Sequence, residues 1–281
     1  EGLTNIGWHL AGIYIATIIA IILKAFPLPV ILLAGVSLAS IAIGIAPDEQ
    51  WFDNEAQKAV DVALKEKDVL NGYKSSTTWL VFAAFAMSTA FVATGLGKRI
   101  AYLLIGKLGS TTLRLGYVNA CLDLLISPAM PSVTARAGGI IFPIMNSVAV
   151  SLGSEPDTSP RKAGRYLLLN TYMVVKTTGY FFITAMAPNM LAMELIGKVY
   201  GKSHPFLLDW GQWFYAASIP GLICLFLTPL VVYVLCPPEL KKLDNKAIAK
   251  KGLEELGPMT IREKTLLGLF ILAVVSWALG K

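Results

Sequence analysis

The chain has 281 residues, 55% of them apolar and only 15% charged, with a formal net charge of +6. Soluble domains carry about 45 to 50% apolar and about 25% charged residues, and the mean hydropathy of +0.63 is an average over the whole length. A soluble enzyme is excluded as the frame, because several segments must face lipid or one another. The three cysteines, Cys121, Cys224 and Cys236, lie in or beside apolar stretches without CxxC spacing. They read as small buried hydrophobes rather than a disulfide framework or a metal site. His9 and His204 are the two histidines, and there is no HExxH or GxSxG pattern. The sequence therefore assigns no catalytic residue, metal ligand or cofactor. Basic cytoplasmic loops account for the positive charge better than nucleic acid does, since no basic stripe is interleaved with exposed aromatics.

Taken in order, residues 7–25 and 28–46 are each long enough to cross about 30 Å of hydrocarbon, and Lys24, Pro27 and Pro29 turn the chain between them. Residues 47–76 mix seven acidic residues with Lys58, Lys65, Lys67 and Lys74, a solvated connector. Ala56, Ala59, Val60, Ala63 and Leu64 recur in it at helical spacing and predict a surface helix. Residues 77–96 form the next span. From Lys98 to Leu108 the chain pairs Lys98, Arg99 and Lys107 with Ile100, Leu103, Leu104 and Leu108, the pattern of an in-plane linker helix.

Residues 111–152 are apolar on both sides of Ser127-Pro128-Ala129-Met130-Pro131-Ser132-Val133-Thr134-Ala135-Arg136. The run from Leu115 to Ile126 is about 18 Å long as a helix, roughly half a bilayer. Arg114 stands before this region and Arg161, Lys162 and Arg165 after it, so the spacing predicts a re-entrant hairpin that enters and leaves on one face. Residues 165–197 exceed one simple span and are interrupted at Thr184-Ala185-Met186-Ala187-Pro188-Asn189, which predicts a second broken helix. Residues 211–236 cross, Pro237-Pro238 stops them, and the loop with Lys241, Lys242, Lys246, Lys250, Lys251, Arg262 and Lys264 belongs to the cytoplasmic side. Residues 265–280 begin a further span. This orientation puts the hairpin on the cytoplasmic side and the 47–76 connector and Glu1 outside. A start at Glu1 and an end just inside a span are expected of a piece of a longer chain.

Broken backbone at membrane depth is tolerated only where it is buried in protein or lines a wet cavity. A half-helix beginning near Thr134 aims unpaired N–H groups at such a site, which suits carboxylates or phosphates. Ser132 and Thr134 add hydroxyls. Arg136 puts a permanent charge at depth and calls for a partner. Either a substrate anion or Asp123 supplies it, and Asp123 and Lys176 are alternatively a pair of their own. If the partner is a substrate, an empty site carries uncompensated charge, and only the loaded form crosses readily.

The run Pro131-Ser132-Val133-Thr134-Ala135-Arg136-Ala137-Gly138-Gly139, followed by Pro143, resembles the hairpin-tip motif of the divalent anion/sodium symporter (DASS) family. Thr184-Ala185-Met186-Ala187-Pro188-Asn189 resembles the unwound loop facing that tip, and Gly257-Pro258-Met259-Thr260-Ile261-Arg262-Glu263-Lys264 the lead-in to a later span. The Thr-Ala-Arg and Thr-Ala-Met-Ala segments are most similar to the branch that exchanges citrate, tartrate, succinate, malate or 2-oxoglutarate. The resemblance implies an all-α polytopic membrane protein, one inverted repeat of a homodimeric elevator-type carrier, in the cell inner (plasma) membrane. It implies scaffold spans with an external connector over 1–96. A transport domain with linker helix, hairpin and broken helix would cover 97–200. A scaffold span, cytoplasmic loop and start of the second repeat would cover 201–281. Ser132, Val133, Thr134, Arg136, Thr184, Ala187, Pro188 and Asn189 would form the site for a di- or tricarboxylate, with Arg136 where symporters keep a cation. Val133 replaces the family's usual asparagine, so that side-chain amide is absent. The alternatives are a sodium-coupled dicarboxylate symporter and a truncated, non-functional carrier. No enzyme activity is expected.

Overall fold

The computed structural model describes residues 5–45, 50–53, 58–61, 69–201 and 207–279. The chain divides into two compact units at Trp79 and Leu80. In the first, α1 (Asn5–Leu23) and α2 (Leu28–Ile45) are apolar around their whole circumference, as lipid-facing helices are. Lys24 takes the left-handed conformation at the turn between them. They approach closely where Gly35 faces Thr17, since a Cβ on Gly35 would lie 2.7 Å from Thr17 Oγ1. The connector departs from the expected surface helix. Its residues Gln50–Asp53 (β1) and Lys58–Asp61 (β2) form an antiparallel pair with Trp51 opposite Val60. The helical spacing rested mainly on alanines, which offer little apolar surface for a helix to bury; Ala56, Ala63 and Leu64 fall outside the described residues.

The second unit contains the hairpin. α3 (Ser76–Thr94) ends at Gly95, whose φ of 77° suits glycine and turns the chain into α4 (Leu96–Leu108). α4 is amphipathic, with Leu96, Ala101 and Ile105 buried and Lys98 and Lys107 exposed; of the residues expected on its two faces, Arg99 turns inward and Leu103 and Leu108 outward. α5 (Thr112–Ile126) descends to the first break, and α6 (Val133–Ser151) returns from it with a π turn over Ala137–Ile141. α7 (Gly164–Thr178) leads to the second break and α8 (Ala187–Tyr200) leaves it. α9 (Trp210–Leu235) opens with a capping box between Asp209 and Gln212; α10 (Asn245–Leu256) and α11 (Ile261–Leu279) complete the chain.

The hairpin is re-entrant. At its entrance the Thr112 N–H donates to the Lys241 carbonyl (3.2 Å) and the Leu243 N–H to the Ser110 carbonyl (3.1 Å). Beyond its exit the Glu239 and Leu240 N–H groups donate to the carbonyls of Arg161 and Lys162, both at 3.0 Å. Three basic loops are thus joined on one face, so the chain enters and leaves the hairpin on the same side. α10 runs antiparallel to α4. Asn245 Nδ2 donates to the Ile105 (3.1 Å) and Gly106 (2.8 Å) carbonyls at the end of α4. At the other end, the Arg99 guanidinium binds Glu263 at 2.7 Å and the Gly257 carbonyl at 3.0 Å.

The core lies between α5, α6 and α7, with Leu115, Leu122, Ile141, Met145, Tyr166 and Leu167 fully enclosed. α9 packs on this body. Tyr166 Oη donates to the Pro229 carbonyl (3.2 Å) and Tyr117 Oη to the Phe226 carbonyl (3.1 Å). Cys121 and Cys224 are exposed rather than buried, on outward faces of α5 and α9.

Candidate binding site at two helix breaks

Each break follows from local chemistry. Pro128 opens a single 3-10 turn over Ser127–Ala129, and Met130 then runs extended. Ser132 restarts the helix as its N-cap, Oγ accepting from the Ala135 N–H at 3.1 Å. Val133 and Thr134 are the first two helical residues, so their N–H groups precede the intrahelical ladder. At the second break, α7 ends at Thr178 and Pro188 occupies the first turn of α8, where a missing N–H does no harm. The two breaks touch, the Ala187 N–H donating to the Pro131 carbonyl at 2.9 Å.

Arg136 ties them together from behind. Its side chain is fully buried. Nε donates to Asp123 Oδ1 at 2.9 Å, and Nη1 donates to the Met130 carbonyl (2.6 Å) and to the Ala185 carbonyl (2.7 Å). Nη2 reaches Thr178 Oγ1 at 3.3 Å, and that hydroxyl in turn donates to the second Asp123 oxygen. The partner of Arg136 is thus Asp123, inside the protein. This corrects the expectation of an uncompensated charge waiting for substrate. Lys176 does not pair with Asp123 either; its exposed ammonium stands 4.7 Å from the centre of the Tyr172 ring.

The remaining expected residues divide into two groups. Ser132, Val133 and Ala187 are half-buried, and Thr134 and Pro188 exposed, so the rim of the tip and the start of α8 are open to a ligand. Thr184 and Asn189 are buried and face inward. Thr184 Oγ1 accepts from Trp210 Nε1 at 3.2 Å, and Asn189 Nδ2 donates to the Gly179 (2.9 Å) and Phe182 (3.3 Å) carbonyls. These hydrogen bonds tie the unwound loop to α9 and to its own backbone. The loop is also gripped from α9, where Trp213 Nε1 donates to the Tyr180 carbonyl (2.9 Å) and Phe182 stacks on Trp210 and Phe214. Thr178 and the two tryptophans were not singled out in the sequence. The Thr-Thr-Gly triplet ahead of the break was the available signal for Thr178. Among the described residues, no group of three or more His, Cys, Asp and Glu is placed to hold a metal ion.

A re-entrant hairpin and a discontinuous helix meeting at membrane depth define a polytopic membrane protein of the kind from which secondary carriers are built. The chain belongs to the divalent anion/sodium symporter family: the family described as "Sodium:sulfate symporter transmembrane region" matches residues 1–281. Over 280 residues it is 54% identical to the inner membrane protein YbhI of Escherichia coli, covering 100% of this chain and 55% of that protein. It is 39% identical to the putative malate transporter YflS of Bacillus subtilis, covering 100% of this chain and 54% of that protein. An Escherichia coli L-tartrate/succinate antiporter is 36% identical, covering 99% of this chain and 57% of that protein. The chain therefore spans about half the length of the curated relatives it matches.

Proposed function

We propose that this chain is the first half of a carrier that exchanges di- or tricarboxylates of the succinate, malate, tartrate, citrate and 2-oxoglutarate class across the inner (plasma) membrane. It works as a homodimer embedded in the bilayer. The observation that carries the reading is the Arg136 guanidinium. Asp123, Met130, Ala185 and Thr178 present to it a set of carboxylate, carbonyl and hydroxyl oxygens, the donors a hard cation such as sodium would need. A cation that cannot dissociate already fills that set, which favours exchange without sodium over sodium-coupled symport. Ser132 and Thr134, with the N–H groups opening α6, take one carboxylate of the substrate, and Ala187 and Pro188 form the facing wall. Arg136, Thr184 and Asn189 position these groups without touching substrate. The relatives named for malate and for L-tartrate/succinate support the substrate class.

The test is efflux of labelled succinate from proteoliposomes holding the full-length protein. Efflux should require an external di- or tricarboxylate and ignore sodium. Efflux that a sodium gradient drives, or that is indifferent to external acid, would replace exchange with symport.

A further inference from the structure

Lys176 is a second cation at the depth of the breaks, with no part in the arrangement around Arg136. It lies about 18 Å along α7 from Gly164, past the middle of a hydrocarbon layer about 30 Å thick. Its side chain is exposed, and the contact with the Tyr172 ring, at 4.7 Å, is a cation–π contact. Among the described residues no carboxylate pairs with it. The ion pairs formed there are Arg99–Glu263, Arg136–Asp123, Lys198–Glu194 and Lys250–Glu254. An exposed lysine at this depth is strongly disfavoured against lipid and marks a wet pathway or a partner.

The end of α7 that carries it is close to the open rim. Gly179, one turn further along the chain, lies against Val133 of the hairpin tip, so closely that a Cβ there would meet Val133 Cγ2 at 3.0 Å. Asp123 already balances Arg136, whereas Lys176 carries a positive charge that no carboxylate among the described residues balances. We propose that Lys176 is the substrate-binding cation. Its ammonium pairs with one carboxylate of a di- or tricarboxylate, while Ser132, Thr134 and the opening N–H groups of α6 take the other oxygens. The inference rests on the carboxylate-carrier reading and moves the charge requirement from Arg136 to Lys176. An empty site keeps the ammonium unbalanced, and a loaded one does not.

The experiment uses the full-length carrier in proteoliposomes, with K176Q, and with K176C in a background whose native cysteines are replaced. Both are checked for monodisperse elution, and either variant suffices to decide if the other fails to fold. The KM for succinate should rise at least about tenfold in both, the change that corresponds to 1.4 kcal/mol. K176Q should also release succinate without external acid. Adding an aminoethyl group to K176C through a thiosulfonate reagent should restore exchange, a sulfonatoethyl group should not, and saturating succinate should slow both modifications. Unchanged KM values, or modification rates indifferent to succinate, would overturn the role of Lys176 while leaving the carrier reading intact. A wild-type protein that moves no di- or tricarboxylate would overturn both.

Discussion

Arg136 and Ala185, 49 residues apart in the chain, are joined by a 2.7 Å hydrogen bond from the guanidinium to the carbonyl of the second break. The same nitrogen also donates to Met130 in the first break. One side chain therefore satisfies orphaned backbone oxygens from both interruptions, which in lipid would each cost several kcal/mol unpaired.

Removing either member of the buried pair leaves the other charge without compensation. Asp123→Asn or Arg136→Ser should each destabilise the folded protein by about 3 to 5 kcal/mol, seen as a large drop in thermal unfolding temperature in detergent. The double substitution should cost less than the sum, because no lone charge remains. Strict additivity would show that the two residues act separately.

Glu263 lies ahead of the apolar run of α11 and is held by Arg99. That hydrogen bond is the largest influence, opposed by burial and reinforced by the N–H and hydroxyl of Thr260, and the carboxyl is held down at about 2 from its ordinary 4.5. A depressed acid stabilises the fold fully above its unfolded value, and this contribution is lost as pH falls through the folded one. The stability gap between wild type and Glu263→Gln should thus be full above about pH 4.5 and close towards pH 2. A gap independent of pH in that window would remove the ion pair as its cause.

Gly116 is a packing requirement between α5 and α7. A Cβ there would lie 1.9 Å from Tyr166 Oη and 2.9 Å from its Cζ. Gly116→Ala should cost about 1 to 3 kcal/mol by overpacking, measured as denaturation midpoint. Tyr166→Phe, which removes the nearer atom, should recover part of the loss.

The joined basic loops fix which segments share a side. A cysteine at Asp157 or Lys250 should react with an impermeant maleimide from the cytoplasm, and one at Val199, at the far end of α8, from outside. Labelling of position 157 from the opposite side to position 250 would dismantle the re-entrant hairpin.

Both interruptions were legible in the sequence because proline enforces them: Pro128 and Pro131 at one, Pro188 at the other. The amphipathic character of α4 was legible in Lys98 and Lys107, which face outward, but the inward turn of Arg99 was not, because its partner Glu263 lies 164 residues further along the chain. The partner of Arg136 was not settled, because Asp123 and a substrate anion satisfy the same electrostatic need and only geometry separates them. The inward turn of Thr184 and Asn189 escaped for a related reason. A polar residue beside a break can serve the ligand or the frayed backbone, and its residue type is the same in both cases. The connector helix was misjudged because alanine spacing carries little energy.

The hydrogen bond from Thr112 to Leu240 closes the mouth of the hairpin across 128 residues of sequence. A ribosome adding about 5 to 20 residues per second needs roughly 6 to 26 seconds to supply the second partner after the first. For that interval the hairpin is present in the nascent chain without its base. Its half-length arms and its Arg136–Asp123 pair precede the contact that closes their base, so the interval open to misassembly scales with the distance along the messenger from this hairpin to the loop that closes it.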